Sequence, residues 1–196
     1  MKDYLIADSY QLTSNSVEFE TEDKELKFVY DEAERLLKEN IKQFTACFTG
    51  HRKIPPNEYE SLAVRLCETV SNLIERGYRY FGVGGALGFD TLAAITVIKL
   101  KKKYPHIKLI LVLPCRNQCQ YWACRDKEIY DYIFERADKV TYLRDKYEPG
   151  CMHARNRHLV ENSSVCVSYL AYSGGGTGYT VSCAEIRGVE IINLAV

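Results

Sequence analysis

The sequence predicts an α/β protein: a parallel sheet of about six strands with helices on both faces, and a helical extension in front of it. Three observations carry this. From Phe44 onward, short β-branched apolar runs alternate with segments of helical period, the pattern of strand–helix–strand units joined by right-handed crossovers. One run, Leu109 to Leu113, is apolar throughout, as a strand covered on both faces must be. Three of the runs give way to glycine-containing turns, the means by which Rossmann-like sheets present backbone N–H groups at the carboxyl ends of their strands.

Residues 1–43 hold 11 Asp or Glu against 6 Lys or Arg, and residues 44–196 hold 15 against 20. An acidic extension, 1–43, therefore precedes a mildly basic Rossmann-like domain, 44–196. In the extension, Tyr4-Leu5-Ile6 and Val17-Glu18-Phe19 allow short extended pieces, and a linker is expected near residues 10–22. Leu26, Tyr30, Ala33, Leu37 and Ile41 recur at helical spacing between Asp23 and Gln43. Their apolar stripe is expected to pack on the domain or to fill a partner protein's groove.

In the domain, Phe44 to Phe48 is the first strand and Thr49-Gly50-His51-Arg52 its turn. Pro55-Pro56 excludes helix there. Asn57 with Glu60 reads as a capping box for a helix carrying Leu62, Leu66, Val70, Leu73 and Ile74 and closing at Arg76-Gly77. Tyr80 to Val83 is the second strand, Gly84-Gly85-Ala86-Leu87-Gly88 its turn and Phe89 to Lys103 its helix. The third strand, Leu109 to Leu113, leads to a helix from Gln120 to Ala137 that bears Trp122. The fourth strand runs from Lys139 to Leu143, and the next helix from Cys151 to Glu161. Val165 to Leu170 is the fifth strand, Ser173 to Gly178 its turn, Thr180 to Arg187 a helix and Glu190 to Leu194 the last strand. The strand order expected is 4-3-2-1-5-6, which puts the reversal between strands one and five, where such sheets hold their ligands.

Composition narrows the function. Net charge is zero, so nucleic acid is not an expected partner. No apolar run approaches the ~18 residues of a membrane span, and the first ten residues lack a signal-peptide core, so a cytoplasmic chain without a membrane partner is expected. Its eight cysteines are then expected as thiols. Cys115, Cys119 and Cys124 lack the paired spacing of a zinc site, and no metal is expected. A homo-oligomer is left open.

The candidate site gathers at the three turns. Gly50, Gly84, Gly85, Gly88, Gly175, Gly176 and Gly178 remove the Cβ atoms that would hold a ligand off the backbone. His51 and Arg52 lie in the first turn, and Thr177 and Thr180 offer hydroxyl donors in the third. Asp90 can cap its helix or accept from a ribose hydroxyl. Arg155 and Asn156, near the start of the fourth domain helix, suit a phosphate. Arg155 is expected at the surface, contributing little to the core, and Arg116 and Arg125 also follow strands and can converge there.

Four segments together, Phe48-Thr49-Gly50-His51-Arg52, Gly84 to Asp90, Met152 to Arg157 and Gly175 to Thr180, resemble the YpsA-like branch of the SLOG superfamily, over about residues 44–196. That superfamily includes the DNA-processing protein DprA and the lonely-guy phosphoribohydrolases. The resemblance implies a Rossmann-like fold and a nucleotide-type ligand, with no certain cofactor. Lonely-guy enzymes carry a Glu three residues after the Thr of their glycine motif; here Thr180 stands there. Glycosidic cleavage needs a carboxylate, and Asp90 and Glu185 are the remaining candidates. Binding or sensing of a nucleotide-derived small molecule is thus the expected function, rather than turnover. A lonely-guy-like phosphoribohydrolase or DprA-like single-stranded nucleic-acid binding is the alternative.

Overall fold

Helix α1 (Lys24–Gln43) is the first element of the structure, a computed structural model that describes residues 24–196. The extended pieces at Tyr4–Ile6 and Val17–Phe19 and the linker near residues 10–22 lie outside them. The described residues divide into two units, one ending at Ile41 and one running from Lys42 to Val196. On α1, Arg35 pairs with Glu32 and Glu39, and Lys38 with Glu34, at the three- and four-residue spacing that brings side chains together on a helix. Phe28, Val29, Leu36 and Leu37 are exposed.

The second unit is a six-stranded sheet with every neighbouring pair parallel. Its strands are β1 (Thr45–Gly50), β2 (Tyr80–Val83), β3 (Lys108–Leu113), β4 (Lys139–Tyr142), β5 (Val165–Tyr169) and β6 (Glu190–Asn193). They lie in the order β4-β3-β2-β1-β5-β6, as expected. The central strand β1 pairs Cys47 with Gly82 on one side and with Cys166 on the other. Its neighbours leave no edge for water, and Ala46, Cys47 and Phe48 are buried.

Five helices cover the sheet: α2 (Pro56–Glu75), α3 (Phe89–Lys101), α4 (Cys124–Phe134), α5 (Cys151–Glu161) and α6 (Gly175–Ile186). Alternate strand residues point to opposite faces. Ala46, Phe48, Phe81, Leu109, Leu111 and Val167 join one core with Leu66 of α2, Val97 of α3 and Ile133 of α4. On the other face Gly82 meets Leu159 of α5, so closely that an added Cβ would lie 3.0 Å from its methyl. α2 ends as read: Arg76 and Tyr78 donate to the carbonyls of Asn72 and Leu73, and Gly77 takes φ +95°.

Three boundaries differ from the sequence reading. α2 starts at Pro56 with Pro55 as N-cap and no side-chain cap, because a proline at the first helical position gives up an N–H that had no partner there. Glu58 instead accepts a 2.7 Å bond from the Tyr169 hydroxyl. α4 is shorter than expected; Trp122 precedes it and meets Tyr130 edge-on at 5.5 Å. α6 begins at Gly175, five residues before Thr180, so the glycine run is the helix start rather than a turn before it. All eight cysteines are free thiols. Among the described residues no helix is long and apolar enough to cross a membrane, and no cluster has metal-ligand character.

Candidate functional site

Parallel pairing brings the carboxyl ends of β1, β2 and β5 to one edge of the sheet. The glycines at that edge fall into two groups. At four of them the space of the absent Cβ is already filled by protein. A Cβ would lie 2.5 Å from Phe89 at Gly50, 2.7 Å from Leu113 at Gly85 and 2.2 Å from the Arg52 carbonyl oxygen at Gly88. At Gly84 it would lie 1.1 Å from Arg155 Nη1, which occupies the place of the missing side chain. Here glycine serves close packing of the first two turns against each other and against α5. The third run is different: nothing approaches a Cβ at Gly174, Gly175 or Gly178, and at Gly176 only Asn156 Nδ2 comes within 3.8 Å.

Arg155 is a buried side chain, not the surface one expected. Its Nη1 donates to Asp90 Oδ2 at 3.1 Å, and both side chains are under a tenth exposed. Asp90 Oδ2 also accepts from the Ala86 N–H at 3.2 Å. Asp90 sits in the first turn of α3, behind the N-cap Gly88, but turns inward to Arg155 instead of capping. Burial pushes its carboxyl above the usual range, against the pull of Arg155 and of the Ala86 N–H. Arg155 Nε is buried with no partner among the described residues. The neighbouring Asn156 reaches the other way and donates to the Gly176 carbonyl at 3.3 Å. α5 thus ties the β2 turn to the start of α6.

His51 is buried and holds the loop after β5. Its Nε2 accepts from the backbone N–H groups of Ala171 at 3.2 Å and Tyr172 at 3.4 Å, which requires a neutral imidazole with its proton on Nδ1. The ring lies on Tyr172 at 3.7 Å and 8°, and edge-on to Tyr169. From the other flank, Asn193 of β6 accepts from the Leu170 N–H at 3.0 Å and donates to its carbonyl. Burial lowers the His51 pKa from its usual value.

α6 then opens on Gly174, φ +114°, and Gly175, φ +64°, conformations that only glycine adopts without strain. No side chain caps it. The first intrahelical bond runs from the Gly178 N–H to the Gly174 carbonyl at 3.2 Å, so the N–H groups of Gly175, Gly176 and Thr177 have no partner within the helix. The macrodipole places about half a positive charge at this end. Thr180 is not a free donor: it is buried, and its hydroxyl bonds back to the Gly176 carbonyl at 2.7 Å. Thr177 is also buried.

Arg52 is exposed and lines a shallow groove with Lys53, Ile54, Pro55, Pro56, Tyr59 and Gly88. Arg116 pairs with Asp145 and lies over Tyr142, and Arg125 is exposed on α4. Arg157 donates to the Tyr179 hydroxyl at 2.9 Å. The sequence reading passed over Tyr172 and Asn193; the one local signal was an aromatic residue directly ahead of the Ser173–Gly176 run.

A model of the YspA SLOG family matches residues 50–185. YoqJ, an SPbeta prophage-derived protein of Bacillus subtilis (strain 168), is 32% identical over 134 residues, 62% of this chain and 78% of YoqJ. A UPF0398 protein of Halalkalibacterium halodurans is 35% identical over 118 residues, 59% of this chain and 62% of that protein. Two solved structures share the fold. DNA processing protein A of Streptococcus pneumoniae gives a TM-score of 0.58 at 18% identity, covering 78% of this chain and 50% of that one. Its Helicobacter pylori counterpart, described for a single-stranded DNA binding mode, gives 0.56 at 20%, covering 76% and 64%. The chain spans less than two thirds of the UPF0398 protein and of both DNA processing proteins.

Two outcomes are expected from this geometry. Arg155→Ala leaves the Asp90 carboxylate buried and unpaired and is expected to cost about 3–5 kcal/mol of stability. With Asp90→Ala added, the total loss in urea unfolding should fall well short of the sum of the two single losses; additive losses would show that the pair is not coupled. His51, with a lowered folded pKa, contributes stability that is complete above about pH 6.5 and is lost as pH falls through the folded value, because the unfolded chain takes the proton first. His158, also lowered by burial, acts with the same sign. The urea midpoint should fall between about pH 7.5 and 5.5, and fall less in His51→Gln; an unchanged pH dependence in that variant removes His51 as the cause.

Proposed function

The chain belongs to the YspA SLOG family, and on that premise we propose that it binds a nucleotide-derived small molecule, with the phosphate end against the backbone of Gly174 to Thr177. One observation carries the reading: α6 starts uncapped, with open space at Gly174, Gly175 and Gly178, on the sheet edge where the strand order reverses. Bare N–H groups and the helix dipole act there on the same negative charge. Asn156 fixes this start through the Gly176 carbonyl. Arg155, through its pairing with Asp90, holds α5 in place, and its buried Nε–H has no partner among the described residues.

Binding rather than turnover is the function these residues favour. The position where lonely-guy enzymes carry Glu holds Thr180, whose hydroxyl is bonded to the Gly176 carbonyl. Asp90 is engaged by Arg155 and Ala86, and Glu185 is exposed near the far end of α6. Incubated with adenosine or guanosine monophosphate, the pure protein is expected to release no free base in multiple turnovers, followed by chromatography. Turnover abolished by Asp90→Asn or Glu185→Gln would establish the phosphoribohydrolase instead.

Calorimetry with a panel of mono- and dinucleotides tests the site. Gly176→Val fills space that is open in the folded protein, so it should stay folded by circular dichroism and weaken the best ligand by about tenfold or more, the loss of one or two charge-assisted hydrogen bonds. Unchanged affinity in the folded variant rejects the site. Binding of single-stranded oligonucleotides alone, falling steeply with salt, replaces the reading with nucleic-acid binding.

A further inference from the structure

We propose that Tyr172 is the stacking platform for the base of this nucleotide, a proposal that rests on the phosphate lying at the start of α6. Tyr172 is 63% exposed, yet its ring is not loose. It lies 3.7 Å from the buried His51 imidazole at 8°, so one face is covered and the opposite face accounts for the exposure. Its own N–H and that of Ala171 donate to His51 Nε2, and Asn193 holds Leu170. The rotamer freedom that an exposed tyrosine ordinarily gives up on binding has therefore been surrendered in the folded protein.

Position and chemistry agree. Tyr172 precedes Gly174 by two residues, a span of at most about 7 Å of chain, on the same sheet edge. Tyr59, Tyr121, Tyr132 and Tyr147 are also exposed, but none of these four lies stacked on a second ring; Tyr179, near the start of α6, meets His153 edge-on and is held by Arg157 at its hydroxyl. A flat aromatic face next to an anion site suits a ligand that joins a π-face to a phosphate, which is a nucleoside phosphate. Aromatic stacking accepts any base, so the platform adds affinity without selecting adenine over guanine.

Adenosine 5′-monophosphate and ribose 5-phosphate separate the two contributions. By calorimetry the parent protein should bind the nucleotide about tenfold tighter than the sugar phosphate, the order of one base stacked on one aromatic ring. Tyr172→Ala should lose that advantage and keep the affinity for ribose 5-phosphate. Tyr172→Leu, which still covers His51 but has no π-face, should behave like the alanine variant, whereas Tyr172→Phe and Tyr172→Trp should retain the advantage. In proton NMR the H2 and H8 resonances of the bound nucleotide should move upfield with the parent and not with Tyr172→Leu. A folded Tyr172→Leu that keeps the advantage, or a parent that shows none while binding ribose 5-phosphate, overturns the platform and leaves the phosphate site standing. Failure of the parent to bind either compound overturns both.

Discussion

The buried pair of Arg155 and Asp90 is the constraint on which the rest of the sheet edge depends. A guanidinium taken out of water has to be met by charge, and here it is met by one carboxylate oxygen that the Ala86 N–H also holds. That contact exists because residue 84 has no side chain: Arg155 Nη1 stands where its Cβ would be. The pair draws the start of α5 down onto the β2 turn, and one residue later Asn156 catches the Gly176 carbonyl. The placement of α6 is thereby tied to a charge pair lying across β1 from it. Such a pair is not a source of net stability so much as a condition on geometry, since removing either partner strands the other in the interior.

A second brace works from the opposite side. The loop after β5 is held by His51 from β1 and by Asn193 from β6. Between the two braces lies the glycine run, where a Cβ at Gly174, Gly175 or Gly178 would face open space. Rigid surroundings around a bare stretch of N–H groups are what a preorganised anion site requires, because the donors do not have to be ordered by the ligand.

Much of the fold was legible because it rests on patterns with a fixed period. β-Branched runs and helical spacing marked the six strands, and Gly77 marked the end of α2. What failed to show in the sequence depends on what lies opposite a residue. Arg155 looks the same in a sequence whether it faces water or Asp90. Gly84 and Gly175 look alike too, although one makes room for a guanidinium and the other faces open space. Asn57 looked like a cap because Pro56 was read as a breaker, whereas at the first position of a helix it is tolerated. The start of α6 was misplaced for a related reason: glycine weakens a helix, and only the packing of Val181 and Ala184 farther along carries the helix back into the glycines.

The position of β1 in the sheet also has a bearing on how the chain comes to be folded. β1 is the first strand of this sheet to be made, yet it is flanked by β2 and by β5, the latter beginning at Val165. Until that late segment leaves the ribosome, β1 presents an open, apolar edge, and His51 lacks its partners Ala171 and Tyr172. Long-range closure of this kind slows folding and lengthens the exposure of an unpaired strand. A nascent chain that stalls before β5 holds four of the six strands, with one side of β1 unpaired.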